Sequence, residues 1–146
     1  MHQEALLKQN NKRFVIRQLT QQGITPTQQR VEIGLVLLTK RQHLSADQVL
    51  DKVNAMGNVV SKATVYNTLS LFVNKGLAKE VNVDSSRILY DSNTAPHHHF
   101  YNVDTGILYD IDAEQLELKE VPTPPEFASI KDVEIIVRVH QAQTSA

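Results

Sequence analysis

Three consecutive histidines, His97, His98 and His99, lie between Asp91 and Asp110 in the stretch DSNTAPHHHFYNVDTGILYD. In an extended strand alternate side chains share a face. His97 and His99 then point one way and His98 the other. Two imidazoles on one face of a strand, with carboxylates in reach, are a start for a divalent transition-metal site. The other reading of the same residues is a polar strand with a solvated histidine run. The chain has no cysteine, which excludes disulfides, thiolate zinc sites and cysteine nucleophiles. Any metal must be held by nitrogen and oxygen.

The elements that position these residues belong to a chain of 146 residues, enough for one or two small domains, with 41% hydrophobic residues. No apolar run approaches the ~20 residues of a membrane span. The N-terminal MHQEALLKQNNKR lacks the apolar core of a secretory signal, so a cytoplasmic location is expected. Residues 1–83 carry 11 Lys/Arg against 5 Asp/Glu, whereas residues 84–146 carry 4 against 11. A basic half joined to an acidic half suggests a nucleic-acid-binding domain followed by a domain with another task.

Residues 3–22, with Leu6, Leu7, Phe14, Ile16 and Leu19, read as an irregularly amphipathic helix ended by Gly23. Thr25 is placed to cap a second helix, with Pro26 in its first turn and Gln28 completing a capping box. Val31, Ile33, Leu35, Leu37 and Leu38 continue it. Ser45 and Gln48 form another capping box, flanked by Leu44 and Val49 as a hydrophobic staple, and this helix should reach Met56-Gly57. Ser61 starts a further helix over residues 61–75, with Val65, Leu69, Phe72 and Val73 at helical spacing and Gly76 as its stop. Segments 77–83 and 87–90 flank Asp84-Ser85-Ser86 as a hairpin. Short helices followed by a hairpin describe a winged helix-turn-helix whose last helix enters the major groove.

Residues 92–96 read as a polar hinge, residues 97–103 and 107–111 as strands around Asp104-Thr105-Gly106, and residues 113–120 as a brief helical or irregular piece. Prolines 122, 124 and 125 enforce an extended connection to a final strand over residues 131–140, and residues 141–146 are expected to fray. The fold class is therefore α+β: a winged helix-turn-helix domain (1–91), a hinge (92–96) and a small C-terminal α/β domain (97–146). The second domain is too small to bury a strong core alone and is expected to dimerise.

With these elements in order, the chain resembles the ferric uptake regulator (Fur) family of bacterial transcription factors. The matching residues are Thr27-x-x-Arg30, His43-Leu44-Ser45-Ala46-Asp47, Ala63-Thr64-Val65-Tyr66-Asn67-Thr68-Leu69, and His97-x-His99 followed by Asp104-x-Gly106. The resemblance implies a regulatory metal site joining the two domains. Its ligands would be His43, Asp91, His97, His99 and Asp110, a set suited to Fe(II) or Mn(II) and also able to take Zn(II) or Co(II). Members commonly hold a structural zinc with two Cys-x-x-Cys pairs. The first pair's positions match Asn102 and Thr105, so that cysteine-ligated zinc is expected to be absent. A further site in some members matches His98, Glu117 and Asp132, with Pro96 in the fourth place.

The resemblance further implies a homodimer that binds a palindromic operator when metal closes its two DNA-binding domains. Tyr66 would contact base edges, Lys62, Thr64, Asn67 and Thr68 bases or phosphates, and Thr27, Gln29 and Arg30 phosphates. The five-ligand set and Asn67 are similar to the peroxide regulator branch, with repression relieved when peroxide oxidises His43 or His97. The HHHF sequence and the Pro122-Thr123-Pro124-Pro125 connection are similar to the iron response regulator branch, which makes a haem-responsive regulator the alternative. A small metallohydrolase, from a different class, would need a general base beside the metal. No separate candidate base is present in the sequence, and the chain is not expected to be an enzyme.

Overall fold

In the computed structural model, which describes residues 2–57 and 59–143, the chain divides into two compact units, Met1–Thr94 and Ala95–Ala146. The first is a winged helix-turn-helix. It contains α1 (His2–Gln21), α2 (Gln28–Leu37), β1 (His43–Leu44), α3 (Ala46–Ala55), α4 (Lys62–Asn74), β2 (Lys79–Asp84) and β3 (Arg87–Asp91). Its core gathers Val15 and Leu19 of α1, Ile33 and Leu37 of α2, Val49 and Val53 of α3, and Val65, Leu69 and Phe72 of α4, all fully buried. Helices α1 and α2 cross closely. A Cβ on Gly34 would lie 2.5 Å from Val15 Cγ1, so only glycine fits there.

Polar side chains satisfy the free N–H groups at the helix starts. Ser45 Oγ accepts from Gln48 N at 3.1 Å while Gln48 Oε1 accepts from Ser45 N at 2.9 Å, the expected reciprocal box. Leu44 and Val49 are both buried on either side of it. Ser61 Oγ accepts from Thr64 N at 3.1 Å, and α4 ends before Gly76, whose φ of 80° suits a residue without Cβ. The start of α2 corrects the sequence reading. Thr27, not Thr25, is the cap, its Oγ1 accepting from Arg30 N. Thr27 N turns back onto Thr25 O at 2.9 Å, and Arg30 Nη1 donates to the same carbonyl, so Thr25 closes a turn ahead of the helix. In α1 only Val15 and Leu19 are buried; Leu6, Leu7 and Phe14 are exposed, because α1 packs on α2 through its C-terminal half.

The wing is a sheet in the order β1-β3-β2. Its hairpin turn is held by Asp84 Oδ1, which accepts from Ser86 N at 2.8 Å and Ser86 Oγ at 2.9 Å. These bonds hold the Asp84 carboxyl below its ordinary value. The turn keeps their support above the ordinary carboxylate range and loses it as pH falls through the lowered value. The two-residue strand β1 is not apparent from sequence. It pairs antiparallel with β3 and sets His43 opposite Asp91. Ser92 and Asn93, read as the start of a hinge, are bonded within this unit: Ser92 Oγ donates to Lys40 O at 2.7 Å and accepts from Gln42 N at 3.0 Å.

The second unit is a sheet in the order β5-β4-β6, formed by β4 (His97–Asn102), β5 (Leu108–Asp112) and β6 (Ile136–Val139). β5 pairs antiparallel and β6 parallel with β4. The helical or irregular piece expected over 113–120 is a single 3-10 turn, Ala113–Gln115, followed by irregular chain. The strand expected over 131–140 is reduced to the four residues of β6, since a parallel partner needs an approach segment rather than a tight turn. Of the tail, residues 144–146 lie outside the described residues.

A polar clamp ties the β4–β5 turn to the chain leaving β6. Asn102 Oδ1 accepts from Asp104 N at 2.9 Å and Thr105 N at 3.1 Å, and Asn102 Nδ2 donates to Gln141 Oε1 at 2.9 Å. Gln141 N in turn donates to Asp104 Oδ2 at 2.8 Å. Asn102 is buried, so removing its amide strands several donors and acceptors. Asn102→Ala should therefore cost about 2–3 kcal/mol in urea unfolding. Asn102→Asp, which keeps the one oxygen that accepts both turn bonds and loses the donor to Gln141, should cost less.

Candidate metal centre and nucleic-acid surface

The three histidines on β4 are sorted by their hydrogen bonds. His97 Nδ1 lies 2.6 Å from Ala95 O, and His99 Nδ1 lies 3.0 Å from Glu134 Oε1. A carbonyl and an ionised carboxylate only accept, so both rings carry a proton on Nδ1 and donate it. Each Nε2 faces Asp110, whose Oδ1 is 3.6 Å from His97 Nε2 and 3.4 Å from His99 Nε2. The rings meet edge to face with centroids 4.5 Å apart. Asp110 stands there because it is the register partner of His99, and directly opposed residues of an antiparallel pair share a face.

The donor set fits a metal. In their neutral form the two Nε2 atoms and the carboxylate oxygen are all acceptors, and acceptors this close repel unless a cation lies among them. Ligands about 2.1 Å from a metal are about 3.0 Å apart at right angles and about 3.4 Å apart at the tetrahedral angle. The spacing in this unit is of that size. The hydrogen bonds from Nδ1 to a carbonyl and a carboxylate are those that orient metal-binding imidazoles.

His98 is different. Its Nδ1 accepts from Ile135 N at 3.0 Å, so its proton sits on Nε2. The ring is only 9% exposed, which corrects the reading of a solvated side chain: it is buried and structural. Glu117 and Asp132 are exposed, and among the described residues they do not gather with His98 into a ligand group.

The first unit supplies a second pair of ligand-type side chains. His43 on β1 and Asp91 at the end of β3 face each other, with Nε2 to Oδ2 at 3.3 Å. Asp91 is fully buried, and Asn93 N donates to its Oδ1 at 2.8 Å. One oxygen is thus held by the backbone while the other meets the imidazole. Glu134 and the Ala95 carbonyl escape sequence reasoning. Glu134 lies 35 residues from His99, and a short parallel pairing leaves no local mark in the sequence.

On the same unit, the residues expected to meet DNA fall around the starts of α2 and α4. Thr27, Gln29, Arg30, Thr64, Asn67 and Thr68 line one depression. Thr68 is buried, whereas Thr27, Gln29 and Asn67 are exposed. Tyr66 is 42% exposed and lines a separate groove with Arg87 and Tyr90. Lys62 Nζ lies 5.8 Å from the Tyr66 ring centroid and 3.6 Å from Asp47, an exposed pair of little energetic weight. Burial raises the Tyr90 phenol above its ordinary value, with Glu80 and Tyr66 adding to the effect, so Tyr90 stays neutral in the groove at physiological pH.

The sequence profile of the Ferric uptake regulator family matches residues 21–140. The chain belongs to that family. As a Fur-family protein it is a transcription regulator and not an enzyme. The peroxide-responsive repressor PerR of Staphylococcus aureus (strain Mu50 / ATCC 700699) is 33% identical over 101 residues, 69% of this chain and 68% of that protein. The ferric uptake regulator of Pseudomonas aeruginosa with manganese superposes with a TM-score of 0.67 at 26% identity, covering 88% of this chain and 98% of that one. The Campylobacter jejuni peroxide stress regulator shares the fold, with a TM-score of 0.61 at 18% identity over 91% of this chain and 97% of that one. No described helix of this Fur-family chain is long and apolar enough to cross a membrane.

The two neighbouring histidines of this Fur-family sheet should respond differently to removal. His99→Ala should lower Co(II) affinity by at least tenfold in a chelator competition. His98→Ala should leave that affinity within a few-fold of wild type. It should instead lower the urea midpoint, because the Ile135 N–H loses its acceptor.

Proposed function

We propose that the chain is a metal-dependent transcriptional repressor that binds palindromic DNA as a homodimer, with His43, Asp91, His97, His99 and Asp110 holding one regulatory metal ion. The observation that carries this reading is the pair of preset ligand groups, one at the end of each unit. His43 and Asp91 offer two donors, and His97, His99 and Asp110 offer three. Neither group alone completes the coordination of a divalent ion. Asp91 and His97 are six residues apart, so the connecting chain spans at most about 20 Å and keeps both groups within reach of one ion. Closing both on one metal favours a single arrangement of the DNA-binding units and shifts the population toward it.

Imidazole and carboxylate donors without sulfur suit Fe(II) or Mn(II), with Zn(II) able to compete in vitro. The manganese named with the Pseudomonas aeruginosa protein is in line with this choice. On DNA, α4 lies in the major groove with Tyr66, Lys62, Thr64 and Asn67 toward bases and phosphates. Thr27, Gln29 and Arg30 hold the adjoining backbone, and Thr68 supports them from below. The similarity to PerR makes hydrogen peroxide the favoured signal. Bound Fe(II) supplies the reactivity toward peroxide, and oxidised His43 or His97 no longer serves as a ligand, which releases the DNA.

Two measurements test this. A duplex selected from a random pool by Mn(II)-loaded protein should bind the metal-free protein at least tenfold more weakly. His43→Ala should abolish that difference while leaving the fold intact. A His43→Ala protein that still responds to Mn(II) like wild type would refute the shared site. After peroxide treatment of Fe(II)-loaded protein, mass spectrometry should find +16 Da on His43 or His97. Unmodified histidines alongside released DNA would refute the oxidation step.

A further inference from the structure

The residues just ahead of β6 treat adjacent histidines in opposite ways. Glu134 Oε1 accepts the Nδ1 proton of His99 at 3.0 Å, while Ile135 N donates to Nδ1 of His98 at 3.0 Å. His99 N also donates to Ile135 O at 3.1 Å, which fixes this segment against β4. Neutral imidazole holds one proton on either of two nitrogens, and the hydrogen bond at one nitrogen decides what the other can do. At His99 the proton is drawn to Nδ1, leaving Nε2 toward Asp110. At His98 the Nδ1 lone pair is already engaged.

We infer that Glu134-Ile135 selects which histidine of the run serves the metal site, with Glu134 as a positioning residue that orients His99 and strengthens its donation through Nε2. The inference rests on the proposed metal reading, but its tautomer component does not require metal. Glu134 meets His99 Nδ1 on the side of the ring away from Asp110. Its carboxylate is one-third exposed, so the bond to the buried His99 ring is made from the rim of the sheet. A carboxylate in this place behind a metal-binding histidine typically changes affinity by about 10–100-fold. Asp132, two residues earlier and exposed, carries the same charge and separates orientation from general field.

The test uses the full chain and the variants Glu134→Ala, Glu134→Gln and Asp132→Asn. Long-range proton–nitrogen NMR of the metal-free protein should show His99 protonated on Nδ1 and His98 on Nε2. The His99 preference should be lost in Glu134→Ala and retained in Glu134→Gln, whose amide oxygen still accepts. In Co(II) titrations, Glu134→Ala should bind about 10–100-fold more weakly with a shifted visible ligand-field spectrum. Glu134→Gln should recover much of the loss, and Asp132→Asn should match wild type. The inference is overturned by an unchanged His99 tautomer in Glu134→Ala, by wild-type affinity and spectrum in that variant, or by an equal loss in Asp132→Asn. Wild-type protein that shows the tautomers and binds no Co(II) would instead refute the metal reading.

Discussion

The antiparallel register between β4 and β5 is the constraint on which the C-terminal ligand group depends. It sets Asp110 opposite His99 and, through the pleat, on the same face as His97. A slip of one residue would turn Asp110 to the other face and bring Tyr109 into its place. The register is held from both ends. Asn102 closes the turn side, and Asp112 N donates to Gln115 Oε1 where the chain leaves β5. Buried Leu108 and Ile111 oppose any slip of β5, because their neighbours Ile107, Tyr109, Asp110 and Asp112 are exposed.

The N-terminal pair depends on a similar device at smaller scale. Two residues of β1 are enough to place His43 across from Asp91. They are anchored on one side by buried Leu44 and on the other by Gln42, whose Nε2 donates to the Val36 and Leu37 carbonyls at the end of α2. The side chain that finishes α2 thus adjoins the candidate ligand, and the helix that carries Arg30 at its start is mechanically continuous with His43. Ser92 closes the loop from the β3 side. The residues proposed to face DNA and those proposed to hold metal in this unit therefore share one set of hydrogen bonds.

What the sequence made legible was whatever is encoded locally. The capping boxes, helix periodicity, hairpin turn and His-x-His alternation all depend on residues within a few positions of one another, and each leaves a residue-type signature. Thr25 and Thr27 both suit the α2 cap by residue type, and the choice follows from how Arg30 folds back. Alternation tells which face His98 takes and not what covers that face. Glu134, Ile135 and Gln141 act across 35 to 39 residues, through a four-stretch pairing with no pattern of its own. The ligand types were visible in the sequence; the groups that fix their protons were not.

The clamp at Asn102 decides which chemical stresses can loosen the C-terminal sheet. The clamp on the C-terminal sheet is made of amides, a carboxylate and backbone N–H groups. Such a brace has no redox chemistry and no dissociable ion. Thiol oxidants and zinc starvation, two stresses that would loosen a thiolate brace, have no point of attack on this one. The brace of the C-terminal sheet is thereby held by groups that neither thiol oxidation nor loss of an ion can undo.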